Sequence, residues 1–290
     1  MAWTILKKSD QDRLLDFLLP REAFCTSLTA YLKRELARPG FFRDTVILAA
    51  SRDSTGHLSG VLVLMRGGHL FPVFESDYNP DAEDLQEIQA GISKTGKKIF
   101  LVMGLNRDVR IAEGIFSQTP HTIDYYTYCI SGNLRDIPSP DSGKLSVHLA
   151  SGWIQSGRMA RLLHPLQEGY EKEEVLLSPD RFNRTASLTH FRKQLESQII
   201  YYAVYDGIPV SKAGTNAMGY EYIQLGGVYT LQDFRSRGIA SFVVHTLTED
   251  LLAKGMKITL FVKHQNLAAL TLYEKMGFER KGDFRISYYL

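Results

Sequence analysis

The sequence of 290 residues has few cysteines, almost no net charge and no long run of apolar residues. Its two cysteines, Cys25 and Cys129, each have apolar or aromatic neighbours, and no Cys/His cluster has the spacing of a zinc site. No spacing suggests a histidine partner for a catalytic thiol. We therefore expect two buried thiols in a reducing compartment and no bound metal.

The N-terminus has no apolar segment of the kind found in signal peptides, and it carries Lys7, Lys8 and Asp10. The apolar stretch at 14–19 is short and contains Asp16, so we expect neither a signal peptide nor a membrane span. A net charge of +2 without a basic run argues against a nucleic-acid partner. By default the sequence predicts a cytoplasmic protein.

The chain is longer than one compact core usually needs, which favours two domains. Residues 131–143 are dense in Gly, Pro, Ser and Asp, a composition typical of a linker. We place a first domain at 1–138 and a second domain at 145–290.

The first half is predicted to mix helices and strands. Residues 11–37 have apolar side chains at helical spacing, with a break near Pro20. Apolar runs and turn residues predict the remaining elements, which are strands at 46–50, 58–65 and 69–74, a helix at 80–94, a strand at 99–103, a helix at 106–117 and a strand at 123–130.

The second half is predicted to repeat this order of elements, although its residues do not visibly match those of the first half. The predicted elements are helices at 158–167 and 187–197, strands at 199–205, 210–216 and 220–230, a helix at 238–254, a strand at 257–262, a helix at 267–276 and a strand at 284–290. The common order suggests a degenerate structural duplication.

Segment 235–240, Arg-Ser-Arg-Gly-Ile-Ala, follows a predicted strand and opens a predicted helix. The first N–H groups of a helix lack partners within it and lie at the positive end of its dipole. Gly238 allows an anion to approach this backbone closely, and Arg235 and Arg237 add positive charge. The segment predicts a pyrophosphate cradle, although a plain strand–turn–helix has the same local pattern.

The preceding strand contains Gly226-Gly227, and glycine inside a strand often marks a bulge. A bulge here would separate this strand from the strand at 257–262 and leave backbone groups unpaired near Val228. An extended ligand with its own amides could pair with them as an added strand. A pyrophosphate cradle beside a peptide-like arm fits coenzyme A better than a nucleotide alone.

A second segment runs from Asn266 to Phe278. Asn266 is placed to cap the helix that follows, or to reach a ligand between the strands. Tyr273 lies two turns along that helix, where its hydroxyl is either a core group or a proton donor. Gly277 is expected to end the helix at the C′ position.

These two segments, in this order, resemble the GNAT acetyltransferase superfamily over residues 220 to 278. The shared patterns are Arg-x-x-Gly-x-Ala after Val-Tyr-Thr, and Asn-x-x-Ala-x-x-Leu-Tyr-Glu-Lys-Met-Gly-Phe. The resemblance extends over 145–290, and residues 1–130 resemble the divergent N-terminal domain of two-domain bacterial GNAT-like proteins. It implies an α/β (α+β) fold with two GNAT-like domains, each a mixed, mostly antiparallel sheet flanked by helices.

The resemblance further implies an N-acetyltransferase that uses acetyl-CoA as co-substrate. The backbone of Val228 and Thr230 would hold the pantetheine, and Tyr273 would protonate the departing thiolate. The implied cofactor site comprises Val228, Tyr229, Thr230, Arg235, Ser236, Arg237, Gly238, Ile239, Ala240 and Asn266.

The general base and the acceptor are left open by the sequence. An attacking amine must lose a proton, and the candidate bases are Glu221, Glu173 and Glu174, although such residues are more often solvated surface carboxylates. A small amine, an amino acid, an aminoacyl group and a peptide N-terminus all remain possible acceptors. A non-catalytic acyl-CoA-binding module and a purely structural scaffold are the alternatives.

The first half lacks the cradle pattern. Its third strand leads into Glu75-Ser-Asp77-Tyr-Asn-Pro-Asp81, where carboxylates would repel a pyrophosphate. We therefore expect this domain to be degenerate, without a CoA phosphate loop.

Overall fold

The computed structural model describes residues 3–51, 56–140, 143–150, 152, 154–176 and 178–289. The chain forms two compact units, the first made of Met1–Tyr128, Phe261–Leu267 and Arg280–Leu290 and the second of Cys129–Leu260 and Ala268–Glu279. The limits of these units differ from those predicted, because the second unit begins at Cys129 and two C-terminal segments belong to the first unit. The functional division between 138 and 145 stays a prediction.

The strands of the described chain alternate with helices in a pattern that occurs twice. In chain order they are β1 (Trp3–Ile5), β2 (Val46–Ser51), β3 (Leu58–Leu64), β4 (His69–Phe74), β5 (Leu101–Leu105), β6 (His121–Ile130), β7 (Leu145–Leu149), β8 (Ile200–Tyr205), β9 (Ile208–Met218), β10 (Tyr222–Thr230), β11 (Lys257–Lys263) and β12 (Glu279–Tyr288).

The α-helices flank these strands. They are α1 (Gln11–Leu18), α2 (Glu22–Glu35), α3 (Phe41–Asp44), α4 (Ala82–Ser93), α5 (Asn106–Glu113), α6 (Ser156–Tyr170), α7 (Arg184–Ser197), α8 (Ile239–Ala253) and α9 (Leu267–Lys275). A π-helical turn, Glu171–Val175, continues α6. No helix within the described ranges is both long enough and apolar enough to cross a membrane.

Both units use the same pairing scheme. In the first, β1 to β4 pair in succession as antiparallel neighbours, β4 and β5 are parallel, and β12 is antiparallel to β5. In the second, β7 to β10 pair in succession as antiparallel neighbours, and β10 and β11 are parallel. The predicted fold class and the repeated order of elements are therefore confirmed.

The sheet of the first unit is covered on both faces, as β2 shows. Ile47 and Ala49 pack in one buried cluster with α1 and α2, and Leu48 and Ala50 in another with α4 and α5. Because successive side chains of a strand point to opposite faces, burial of both faces produces a continuous apolar run. This explains why residues 46–50 are all apolar.

Most predicted elements are present with shifted ends. Pro20 lies between α1 and α2, as predicted, and Cys25 and Cys129 are buried and are not joined in a disulfide. β1 and β7 were not predicted from the sequence; both are short and have few buried side chains. The predicted linker has no helix or strand over 131–140, and Asp141 and Ser142 lie outside the described residues.

Candidate functional site

β10 pairs with β11 only along its first half. The parallel register runs from Tyr222↔Lys257 to Leu225↔Leu260, and over the described residues it continues no further. On the other side, the register with β9 shifts between Gly226 and Tyr229. The two residues between them, Gly227 and Val228, form the bulge predicted from the glycine pair. The second half of β10 therefore has an edge without a strand partner.

Gly227, in the bulge, and Gly226, directly before it, are both required by their surroundings. Gly227 has φ +62°, a left-handed conformation that favours glycine. A Cβ atom at Gly226 would overlap the side-chain amide of Asn216. The bulge therefore depends on side-chain-free residues at these two positions.

The entrance of α8 exposes its first amides. Gly238 is the N-cap with φ +75°, and no side chain caps it. Two residues earlier Ser236 has φ +60°, which for a non-glycine residue costs about 1 kcal/mol. Alternating left-handed residues of this kind turn successive N–H groups toward one anion-binding concavity. The backbone at 236–240 therefore has the form of the predicted cradle.

The corresponding helix of the first unit, α4, is closed. Its N-cap Asp81 accepts hydrogen bonds from the N–H groups of Glu83 at 2.9 Å and Asp84 at 3.0 Å. In return the Asp84 carboxylate accepts from the N–H of Asp81 at 3.2 Å. This capping box occupies the amides that an anion would need.

The β4 end of the first unit is also occupied. β4 and β5 pair only at His69↔Leu101 and Leu70↔Val102, and beyond this point the Asp108 carboxylate accepts from the N–H of Phe74 at 3.1 Å. Burial raises the pKa of Asp108 to about 6. The protein's own side chains thus fill the place where the second unit remains open.

Arg235 does not point freely at the cradle. Its Nη2 donates to Glu173 Oε2 at 2.7 Å and its Nε to the carbonyl of Thr230 at 3.0 Å. Glu173 Oε1 also accepts from the hydroxyl of Tyr229 at 2.7 Å. Burial tends to raise the pKa of Glu173, but these hydrogen bonds outweigh it and hold the pKa below its ordinary value. Glu173 is therefore a weak candidate for the base.

Arg237 is exposed and lies over the ring of Phe234, with 5.2 Å from guanidinium carbon to ring centroid. Ile239 is buried, so only its backbone N–H can serve a ligand, and Ala240 is half-buried. Within the described chain, Arg237 forms no ion pair with a carboxylate, whereas Arg235 does.

Tyr273 lies in α9 and is 7% exposed. Its ring packs edge-on against Phe278, with centroids 5.5 Å apart. No described residue forms a hydrogen bond with its hydroxyl. Burial, then the nearby Tyr170 and Glu174, raise the pKa of Tyr273 above its ordinary value. A phenol is already protonated at neutral pH, and this one stays so, as a proton donor requires.

Glu221 lies away from this region, and its predicted catalytic role stays a prediction. It immediately precedes β10 and forms an ion pair with Lys257 at 2.7 Å, with its side chain 62% exposed. Gly226 lies five positions further along the chain, about 17 Å at ordinary strand rise. Asn266, half-buried, directly precedes α9, in the position expected for a cap.

The structure adds two residues that the sequence analysis missed, Lys212 and Tyr170. Lys212, on β9, is 3% exposed, and its Nζ donates to the carbonyl of Gly227 at 2.7 Å. Tyr170 ends α6, and its hydroxyl lies near the backbone of Gly227 and near Tyr273. The signal available in the sequence for Lys212 was a lysine inside a predicted strand whose other residues are mostly apolar or small.

In the described ranges, no group of three or more His, Cys, Asp or Glu could hold a metal.

Comparison with known proteins agrees with this geometry. Residues 204–286 match the family model described as FR47-like protein, and no curated protein matches the chain. A Drosophila protein of known structure is 13% identical and covers 99% of this chain and 98% of its own, with a TM-score of 0.62. A GCN5-related N-acetyltransferase from Sphaerobacter thermophilus is 15% identical and covers 99% and 94%, with a TM-score of 0.61.

A tandem GNAT protein from the clavulanic acid biosynthesis pathway is 12% identical and covers 99% of this chain and 98% of its own, with a TM-score of 0.57. At these identities the likeness establishes the fold, and it extends over both units. The resemblance to the GNAT superfamily is therefore confirmed for the fold and, over 204–286, by the family model.

Proposed function

We propose that this protein is an acyl-CoA-dependent N-acyltransferase that transfers an acetyl group from acetyl-CoA to an amine. The observation that carries the proposal is the uncapped entrance of α8 at Gly238 together with the strand edge left unpaired after Leu225. The first unit has the same element order but closes both features, so the opening is particular to the second unit.

The residues present fit coenzyme A. The N–H groups from Ser236 to Ala240 would hold the pyrophosphate, with Arg237 as the nearby unpaired guanidinium. The backbone at Val228 would hold the pantetheine arm as an added strand. The carbonyl of Thr230 already accepts a hydrogen bond from Arg235. Thr230 could therefore contact the ligand only through its other groups.

Acetyl-CoA supplies an activated acyl group in the form of a thioester. The chain would hold the acceptor amine beside it, so that the reaction becomes effectively unimolecular. The N–H of Val228 would stabilise negative charge developing on the acyl oxygen. Tyr273, protonated at neutral pH, would give its proton to the departing sulfur. Of the three candidate bases, Glu174 is the one whose negative charge helps to raise the pKa of Tyr273. We propose that Glu174 accepts the proton of the attacking amine.

Titration calorimetry with coenzyme A, followed by thiol release from acetyl-CoA over a panel of amines, tests the proposal. Binding with amine-dependent thiol release is expected. Absence of binding would leave only the structural-scaffold alternative.

A non-catalytic acyl-CoA-binding module is the second candidate. It is favoured by one observation, that Arg235 and Glu173 neutralise each other beside the cradle rather than serving a reaction. Binding of coenzyme A without turnover of acetyl-CoA over the same amine panel would support this alternative.

A further inference from the structure

Lys212 is a buried cation without a carboxylate partner among the described residues. Its Nζ lies 4.8 Å from the ring centroid of Tyr170 and 5.6 Å from that of Phe191. Its hydrogen bond goes to the carbonyl of Gly227 at 2.7 Å. Burying an ammonium group is unfavourable unless its hydrogen bonds are satisfied, so this contact anchors the side chain.

The contact falls on the bulge. In the β9 register Lys212 pairs with Tyr229, while Gly227 and Val228 have no partner. A carbonyl in a bulge is not fixed by the strand ladder, so its direction depends on other contacts. Lys212 supplies that contact, from the strand next to the bulge.

The carbonyl of Gly227 and the N–H of Val228 belong to one peptide group. This group is planar, and no described peptide bond is cis, so the two bonds point in opposite directions. Fixing the carbonyl toward Lys212 therefore fixes the N–H of Val228 away from it. A cation on the carbonyl also polarises the peptide and makes its N–H a stronger donor.

We propose that Lys212 is a positioning residue, which holds the Gly227 carbonyl and thereby aims the Val228 N–H at the acyl carbonyl oxygen of the thioester. The inference rests on the proposed transferase function and deepens it. Lys212 touches neither substrate and acts only through the peptide group.

The charge of Lys212 provides a readout that a packing role alone would not give. Burial lowers the pKa of Lys212 to about 7, and the carboxylate of Glu171 opposes this shift. The other groups facing the amine are the rings of Tyr170 and Phe191 and the bulge backbone. The amide of Val228 should therefore sense a titration near neutral pH.

The first experiment uses the wild-type protein labelled with ¹⁵N-valine and follows the Val228 amide shift from pH 6 to 9. A titration near pH 7 that disappears in Lys212→Met is expected. Lys193→Met, an exposed lysine on α7, is the matched control and should retain it. A Val228 amide that does not titrate in the wild type overturns the inference, even if Lys212→Met fails to fold.

The second experiment is kinetic. Lys212→Met should lower kcat about tenfold or more, since loss of a donor at a developing oxyanion costs about 10²–10³-fold when the donor itself is removed. The KM for acetyl-CoA should change less than about threefold, because other backbone groups hold the ligand. An unchanged kcat overturns the inference. Lack of CoA binding by the wild type would instead refute the proposed function.

Discussion

Glu173 and Arg235 form an ion pair of 2.7 Å beside the proposed phosphate cradle, and the hydroxyl of Tyr229 completes it. Both side chains are partly exposed, Arg235 by 42% and Glu173 by 35%, so the pair contributes about 0–1 kcal/mol to stability. Its greater effect is electrostatic, because it places a carboxylate next to the site of a pyrophosphate and engages one of the two arginines.

Glu173→Gln should bind coenzyme A several-fold more tightly, because it removes a negative charge and releases Arg235. Calorimetry at low and high salt measures the change, which should shrink as salt screens it. Glu196→Gln is the matched control, since Glu196 also accepts from a hydroxyl and a guanidinium, those of Ser156 and Arg192. Weaker binding by Glu173→Gln would show instead that the pair positions Arg235 for the ligand.

Gly238→Ala should weaken coenzyme A binding about tenfold or more, because its Cβ atom would narrow the approach to the amides. Gly255→Ala is the control at the other end of α8, because Gly255 has the same φ of +75° and open space around it. Both substitutions should lower the free energy of unfolding by about 1 kcal/mol through left-handed strain. Equal effects on binding would contradict a phosphate role for Gly238.

Tyr273→Phe should lower kcat by about tenfold or more with little change in coenzyme A affinity, because it removes the proposed proton donor and keeps the ring. Tyr289→Phe serves as control, since the Tyr289 hydroxyl is also buried and has no hydrogen-bond partner in the described chain. Steady-state thiol release measures both. The same rate in Tyr273→Phe as in the wild type would remove Tyr273 from the acid role.

Glu221→Gln should leave kcat and KM unchanged and lower stability by less than about 1 kcal/mol. The reason is its exposed ion pair with Lys257, at the end of β10 remote from the bulge. Glu174→Gln measured alongside should lower kcat if Glu174 is the base. A large loss of activity in Glu221→Gln alone would identify Glu221 as the base, as the sequence predicted.

Lys212→Met should be more stable than the wild type near pH 7, and this advantage should shrink as pH rises toward 10. The folded-state pKa of Lys212 lies near 7, below its unfolded value. Between these values the unfolded chain binds the extra proton, so the stability of the wild type rises with pH. Denaturant unfolding at several pH values measures the difference, and a constant advantage would show that Lys212 does not titrate in this range.

The fold was largely predictable because its signals are local. The apolar run at 46–50, the helical spacing at 11–37 and the glycines around 226 and 238 each act on the chain near themselves. β1 and β7 escaped prediction because a short strand with one partner buries little apolar surface and leaves a weak pattern. The assignment of Arg280–Leu290 to the first unit depends on pairing with β5, which no local pattern encodes.

For the site, the sequence by itself determined the uncapped glycine at the entrance of α8 and the glycine pair of the bulge, because backbone conformation depends on the residue itself. Only the tertiary structure decided which charges act there. In the fold, Glu173 forms an ion pair with Arg235, and Lys212 donates a hydrogen bond to Gly227. Glu221 lies at the other end of β10, in an ion pair with Lys257. Such contacts join residues distant in the chain, and their energies depend on burial and distance, which the order of residues does not specify.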